Sequence, residues 1–293
     1  MLIDGKAIAH QIEQQITNAI SHLTHRPPGL AFILVGDNDA SHTYIRMKKK
    51  KCQEVGILSV DREFSTNISE DKLIAEIQSL NQDPAIDGIL IQLPLPSHLS
   101  QFRILSTVDP EKDVDGFHPV NVGKMLIGEG DGFLPCTPHG IQVLLARSQI
   151  SVFGKHVVIV GRSNIVGKPL AAILMQKAPH CNATVTVVHS HSYNLTQLCA
   201  SADILVAAIG QPGFIKPSMV KPGAIVIDVG INRYPEGKHI VGDVDFEQVA
   251  PLCSHITPVP GGVGPMTIAM LLSNTLLSYQ RRQLQNSPTQ KNR

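Results

Sequence analysis

The chain has 293 residues, 43% of them hydrophobic and 17% charged, with 23 Gly and 20 Pro. These proportions exclude a disordered, collagenous or coiled-coil chain, and the length suits two domains or one large α/β unit. Lys plus Arg number 25 against 24 Asp plus Glu, and Trp is absent. Neither bulk basicity nor a base-stacking surface therefore points to nucleic acid.

Five cysteines are scattered without a C-x-x-C pair, which predicts reduced thiols rather than a zinc ribbon or disulfide framework. The N-terminus lacks the charged and apolar regions of a signal peptide, and no apolar run approaches the length of a membrane span. A cytoplasmic protein without membrane contact is expected.

From Asp4 to Ile20 the apolar positions Ile8, Ile12, Ile16 and Ile20 recur at helical spacing. The continuous run Leu30–Val35 reads as a strand buried on both faces. A helix from about Ser41 to Val55 follows, then a strand Ile57–Phe64. The next helix runs from about Ser69 to Gln82, with Ser69 as N-cap, and leads into a strand Ile86–Ile91. This alternation predicts βαβαβ with a parallel sheet.

The stretch from Asp109 to Pro138 is rich in Pro and Gly and reads as a connection between domains. Thr137-Pro138 predicts a cap and first helical position. A second series begins with the strand Lys155–Val160 and a helix Gly167–Lys177. The strand Thr184–Val188, a helix Asn194–Ala200 and strands Asp203–Ile209 and Ala224–Val229 complete a doubly wound nucleotide-binding pattern. An apolar helix from about Met266 to Leu284 closes the fold. A polar tail, residues 285–293, is expected to be disordered.

The turn Gly161-Arg-Ser-Asn-Ile-Val-Gly167 joins a strand to a helix N-terminus, the arrangement that offers N–H groups to a phosphate. Ser163 stands where the common fingerprint has its second glycine, so a ligand-free tight turn is the competing reading. The next strand ends in His189-Ser-His-Ser192 without the carboxylate that binds a ribose 2′-hydroxyl. Arg162 and Ser190 favour a 2′-phosphate, hence NADP over NAD. His189 and His191 lack a third ligand, so no metal is expected.

With about 100° per residue, Lys48 falls in the apolar stripe of Tyr44, Ile45, Cys52 and Val55. Lys49 and Lys50 point away and read as a solvated basic face. A lysine held among apolar groups loses hydration and becomes suited to proton exchange near neutral pH. A Lys48 that snorkels from the stripe edge is the competing reading. Gln92 ends an all-apolar strand, where parallel sheets gather their sites. Asp113 and Asp115 lie in a loop that turn chemistry alone also accounts for. The loop Thr257-Pro-Val-Pro-Gly-Gly-Val-Gly-Pro265 either lines a ligand or reverses the chain.

Six segments in order resemble the methylenetetrahydrofolate dehydrogenase/methenyltetrahydrofolate cyclohydrolase family: Ser41–Tyr44 with Lys48, Asp87–Pro96, Pro110–Pro119, Pro135–Pro138, Gly161–Pro169 and Pro258–Thr267. The resemblance covers about residues 1–283. It implies two three-layer α/β domains with a cleft between them: a folate-binding catalytic domain (1–139 plus 266–284) and a Rossmann-type NADP-binding domain (140–265). It also implies oxidation of 5,10-methylenetetrahydrofolate by NADP⁺, then hydrolysis of the methenyl product to 10-formyltetrahydrofolate.

By the same resemblance, Lys48 matches the catalytic lysine, Tyr44 the ring that packs on the folate, Gln92 the amide that positions the lysine, and Asp115 the pterin-binding carboxylate. Pro260, Gly261 and Gly262 lie beside the folate. Gly161, Arg162 and Ser163 form the cofactor loop, Ser190 neighbours the 2′-phosphate, and Ile231 offers a backbone contact. A homodimer is implied. A monofunctional dehydrogenase and a non-catalytic NADP-sensing protein are the rival readings, and a nucleic-acid binder is the weakest.

Overall fold

The computed structural model describes residues 1–233 and 240–286. In chain order the first elements are α1 (Gly5–Ser21), β1 (Gly29–Val35), α2 (Asp39–Val55), β2 (Leu58–Phe64), α3 (Glu70–Gln82) and β3 (Gly88–Ile91). Then come α4 (Gln101–Leu105), α5 (Pro119–Ile127), α6 (Cys136–Arg147), β4 (His156–Val160), α7 (Gly167–Leu174), β5 (Thr184–Val188), α8 (Leu195–Ala200), β6 (Ile204–Ala207) and β7 (Ile225–Asp228). The two-residue strands β8 (Asn232–Arg233) and β9 (Ile240–Val241), α9 (Phe246–Val249), β10 (His255–Ile256) and α10 (Val263–Asn286) complete the chain.

A three-stranded parallel sheet has the order β2-β1-β3, and a five-stranded parallel sheet the order β10-β7-β6-β4-β5. All seven residues of β1 are buried, as a central parallel strand covered on both faces requires. Edge strand β2 instead leaves alternate residues exposed. The fold class is thus the predicted α/β with two parallel sheets. The second sheet gains a fifth strand, β10, whose two residues are too short for a periodicity signal.

The chain divides into two compact units, Met1–His10 with Pro135–Met270, and Gln11–Leu134 with the chain from Leu271 onward. The first residues group with the five-stranded sheet because they extend its edge. Ile3 N donates to Ile256 O at 2.9 Å and Ile256 N to Met1 O at 3.0 Å. Helix α10 contributes residues to both units.

Several local expectations shift. The Pro/Gly-rich stretch 109–138 contains α5, opened by Pro119 and capped by the His118 ring, whose Nδ1 accepts Val120 N at 3.1 Å. Thr137 does not cap α6, which begins at Cys136, two residues before the expected Pro138. Its hydroxyl instead meets Thr267 Oγ1 at 2.9 Å. Helix α7 stops at Leu174 rather than Lys177. Gln285 and Asn286 continue α10, and the rest of the predicted tail lies outside the described residues. Among the described residues no helix is long and apolar enough to cross a membrane. Four of the five cysteines are buried, and all five are free.

Candidate active site

Helix α2 is fixed at both ends. Asn38 Oδ1 accepts Ser41 N at 3.0 Å, and Gly56 closes the helix at φ 87°, a left-handed position suited to glycine. Ser41, Ile45, Cys52 and Val55 are its buried face. Lys48 belongs to that face, half-buried between Ile45 and Cys52. Its Nζ donates to Gln92 Oε1 at 3.1 Å, across from α2 to the residue that follows β3. Gln92 is itself held. Its Nε2 donates to Leu93 O at 2.7 Å and its backbone N to Ile33 O at 2.9 Å. The amide can therefore turn only its oxygen toward the lysine. Burial pushes the Cys52 thiol up to about 12, so it stays neutral one turn from Lys48.

The other lysines of the run are paired rather than free. Lys49 bonds Asp61, Lys51 reaches Glu13 and Glu54 at 2.8 and 2.9 Å, and Lys50 lies 3.9 Å from Glu54. These acids neutralise the predicted basic face.

Tyr44 is half-buried one helical turn before Lys48. Asp115 is half-buried in the loop 112–116. That loop runs along β3, because Ile89 N donates to Lys112 O at 2.8 Å. Gly88 makes the approach possible, since a Cβ there would stand 2.8 Å from Val114 Cγ1. Tyr44, Lys48, Gln92 and Asp115 thus belong to three adjoining segments of one unit, with the Lys48–Gln92 bond as the direct link.

Neither the burial of Lys112 nor the distinct role of Asp113 is legible in the sequence. Lys112 is 2% exposed, and its Nζ donates to Leu80 O, Asn81 O and Asp83 O at 2.9, 2.6 and 2.9 Å. It caps the carboxyl end of α3, and burial pulls its ammonium down to about 8. Asp113 points inward and accepts Phe117 N, His118 N and Asn121 Nδ2 at 3.2, 2.8 and 2.8 Å. Burial pushes its carboxyl up to about 7. The carboxylates two residues apart therefore divide, one anchoring the loop and the other half-exposed. Asp87 is also structural, clasped by Arg26 at 2.6 and 2.8 Å.

In the other unit, Gly161 ends β4 with φ 127°, and a Cβ there would stand 2.1 Å from Ala208 O. A Cβ on Gly167 would lie 2.1 Å from Gly161 O. Both glycines are thus demanded by close backbone approach. Ser163, at the second-glycine position, uses its Oγ to accept Val166 N at 3.1 Å and so shapes the entry to α7. Arg162, Ser163 and Asn164 face outward.

Beside this turn, β5 ends in a turn held by His189 N on Ser192 Oγ at 3.0 Å and His191 N on His189 Nδ1 at 3.2 Å. Ser190 and His191 are left exposed. Burial and the positive charge of Arg162 hold His189 below the usual histidine range. Gly161 N donates to Val188 O at 2.8 Å, which sets Arg162 next to the end of β5. No carboxylate occupies residues 189–192. The residues present fit a dinucleotide bearing a 2′-phosphate: a tight glycine turn leading from β4 into α7, one exposed guanidinium, and no carboxylate at residues 189–192.

Ile231 is 44% exposed just after β7. Pro260, Gly261 and Gly262 lie in the loop before α10, packed on the N-terminus. Lys6 N donates to Gly261 O at 2.9 Å, and a Cβ on Gly5 would fall 1.9 Å from Gly262 O. Two buried carboxylates, Asp228 and Asp243, organise the neighbouring loops and escaped the sequence reading. An acidic residue ending the apolar run Ile225–Ile227 was the available signal.

Residues 3–115 match the catalytic domain of the tetrahydrofolate dehydrogenase/cyclohydrolase family, and residues 135–283 match its NAD(P)-binding domain. The bifunctional protein FolD of Protochlamydia amoebophila is 58% identical over 288 residues, spanning 97% of this chain and 99% of that protein. A Campylobacter concisus FolD is 52% identical, with 97% and 99% covered. The crystal structure of the bifunctional FolD dehydrogenase/cyclohydrolase from Campylobacter jejuni superposes with a TM-score of 0.93 at 48% identity, covering 96% of this chain and 99% of that one. A Trypanosoma brucei FolD, solved with NADP cofactor and inhibitor, gives 0.90 at 38% identity, covering 96% and 98%. Full-length similarity at this level, together with both matched domains, places the chain in the tetrahydrofolate dehydrogenase/cyclohydrolase family.

Proposed function

We propose that this chain oxidises 5,10-methylenetetrahydrofolate with NADP⁺ and then hydrolyses the methenyl product to 10-formyltetrahydrofolate, with Lys48 as the proton-handling residue. The observation that carries the lysine assignment is its bond to the doubly anchored Gln92 amide, made from a half-buried position on the inner face of α2.

When bound, the dinucleotide supplies the hydride acceptor for the first step. Gly161 and Gly167 shape the tight turn that faces it, Arg162 and Ser190 receive the 2′-phosphate, and Ser163 and Ile231 border it. Tyr44 packs on the folate, Asp115 accepts N–H groups of the pterin edge, and Pro260, Gly261 and Gly262 line the folate side. Oxidation of the methylene carbon leaves a methenyl cation. A water then adds to that carbon and loses a proton, and the carbon–N5 bond breaks to leave the formyl group on N10. Lys48 takes and returns the protons of these transfers, while Gln92 holds its ammonium in place.

The protein works in the cytoplasm in one-carbon metabolism. It assembles as a homodimer through the nucleotide unit, where β5 is an edge strand. Incubation with methylenetetrahydrofolate and NADP⁺ is expected to give NADPH and 10-formyltetrahydrofolate. NADPH without the formyl product would make it a monofunctional dehydrogenase. NADP⁺ binding without turnover would make it a sensor. Light scattering reads the dimer.

A further inference from the structure

Asp228 and Asp243 are 2% and 0% exposed, yet no Lys or Arg pairs with either of them among the described residues. Their oxygens are spent on backbone N–H groups and one side-chain amide. Asp228 Oδ1 accepts Gly230 N at 3.0 Å and Asp243 N at 2.8 Å, and its Oδ2 accepts Val244 N at 3.0 Å. Asp243 Oδ2 in turn accepts Ile209 N at 2.6 Å and Gly210 N at 2.9 Å, and its Oδ1 accepts Asn232 Nδ2 at 2.8 Å.

The two side chains thereby tie together three segments: the loop leaving β6, the loop leaving β7, and the strand-like strap 242–245. Gly213 N on Gly242 O and Ile215 N on Asp243 O, at 3.1 and 2.9 Å, fasten the strap from its other side. Glycines make room for the carboxylates. A Cβ on Gly230 would stand 2.3 Å from Asp243 Oδ1, and one on Gly242 only 1.8 Å from Asp228 Oδ2.

Residue 231 lies between the two anchored positions, Gly230 on Asp228 and Asn232 on Asp243. Ile231 is therefore held on both sides by residues tied to buried carboxylates. Ligands of doubly wound sheets bind outside the carboxyl ends of the strands, which is where the loops after β6 and β7 stand.

We infer that Asp243, seated on Asp228, is a positioning residue for the dinucleotide. It sets the loops at 209–210 and 230–232 to receive the cofactor without touching the reacting atoms. The inference rests on the proposed cofactor site.

The test is Asp243→Asn, which keeps the shape but replaces an acceptor oxygen with a donor facing other N–H groups. Asn232→Ala is the milder second variant and removes one tie beside Ile231. The readouts are the KM for NADP⁺, NADPH affinity by direct binding, and hydrolysis of methenyltetrahydrofolate, which needs no nucleotide. The expected result is a KM for NADP⁺ and an NADPH Kd raised about tenfold or more, one lost charged hydrogen bond being worth about 1.5–3 kcal/mol, with hydrolysis within twofold of the parent. Unchanged nucleotide affinity in both variants overturns the inference, as does an equal fall in hydrolysis and nucleotide affinity. If the parent chain binds no NADPH at all, the cofactor-site reading fails instead.

Discussion

Lys48 Nζ and Gln92 Oε1 stand 3.1 Å apart, joining the inner face of α2 to the residue that ends the run of β3. The amide reaches the lysine as a fixed acceptor because its own N–H₂ is committed to Leu93 O. Replacing Lys48 by Met keeps the volume and removes the proton carrier. Hydrolysis of methenyltetrahydrofolate is expected to fall by about 10²–10⁴-fold, the usual worth of a general acid–base group. Retained hydrolysis would remove Lys48 from the mechanism.

Gln92→Glu turns that acceptor into a carboxylate beside the ammonium. The ion pair would hold the lysine proton more tightly. The expected consequence is slower hydrolysis, with the pH–rate profile moved to higher pH. A profile superimposable on that of the parent would show that the amide does not govern the lysine.

Arg162 is exposed and follows Gly161, whose N–H is bonded to the last residue of β5. Arg162→Ala is expected to lower kcat/KM with NADP⁺ by about 10–100-fold, matching about 1.5–3 kcal/mol for a hydrogen bond to a charged group. The value with NAD⁺ should change little, because NAD⁺ has no 2′-phosphate. Equal losses with both nucleotides would assign Arg162 to a part that they share.

Lys112 satisfies three carbonyls at the end of α3 from a position 2% exposed. Lys112→Met leaves those acceptors buried without a donor. A loss of about 3 kcal/mol or more in unfolding free energy is expected, read by denaturant titration. A loss below about 1 kcal/mol would mean that water replaces the ammonium.

Burial holds the His139 imidazole down to about 4, and its enclosed Nδ1 has no hydrogen-bond partner among the described residues. The unfolded chain takes up this proton near pH 6.5 and the folded chain only near 4. The unfolded state therefore binds more protons between those values, and stability falls as pH drops through the window. The stabilisation is fully present above about pH 6.5, and up to about 3 kcal/mol is lost by pH 4. His139→Gln should flatten that part of the stability profile, whereas an unchanged slope would assign the acid sensitivity elsewhere.

Sequence by itself determined the longer strands and helices and singled out candidate site residues. The all-apolar runs 30–35 and 157–160 mark strands covered on both faces. The stripe through Ile45, Cys52 and Val55 singles out Lys48 from its three neighbours, because helical periodicity is a local property of the chain. The missing carboxylate after β5 is equally local. Tertiary structure alone decided which polar groups work inward. Asp113 and Asp115 are indistinguishable as a dipeptide spacing, and only packing against Asn121 makes the first an anchor. Asp228 and Asp243 lie 15 residues apart in the chain, and their hydrogen bonds exist only once three loops have converged. The same holds for β10, whose two residues become a strand by pairing with β7 and the N-terminus. Burial of a polar group costs free energy unless distant partners satisfy it, and a sequence does not name those partners.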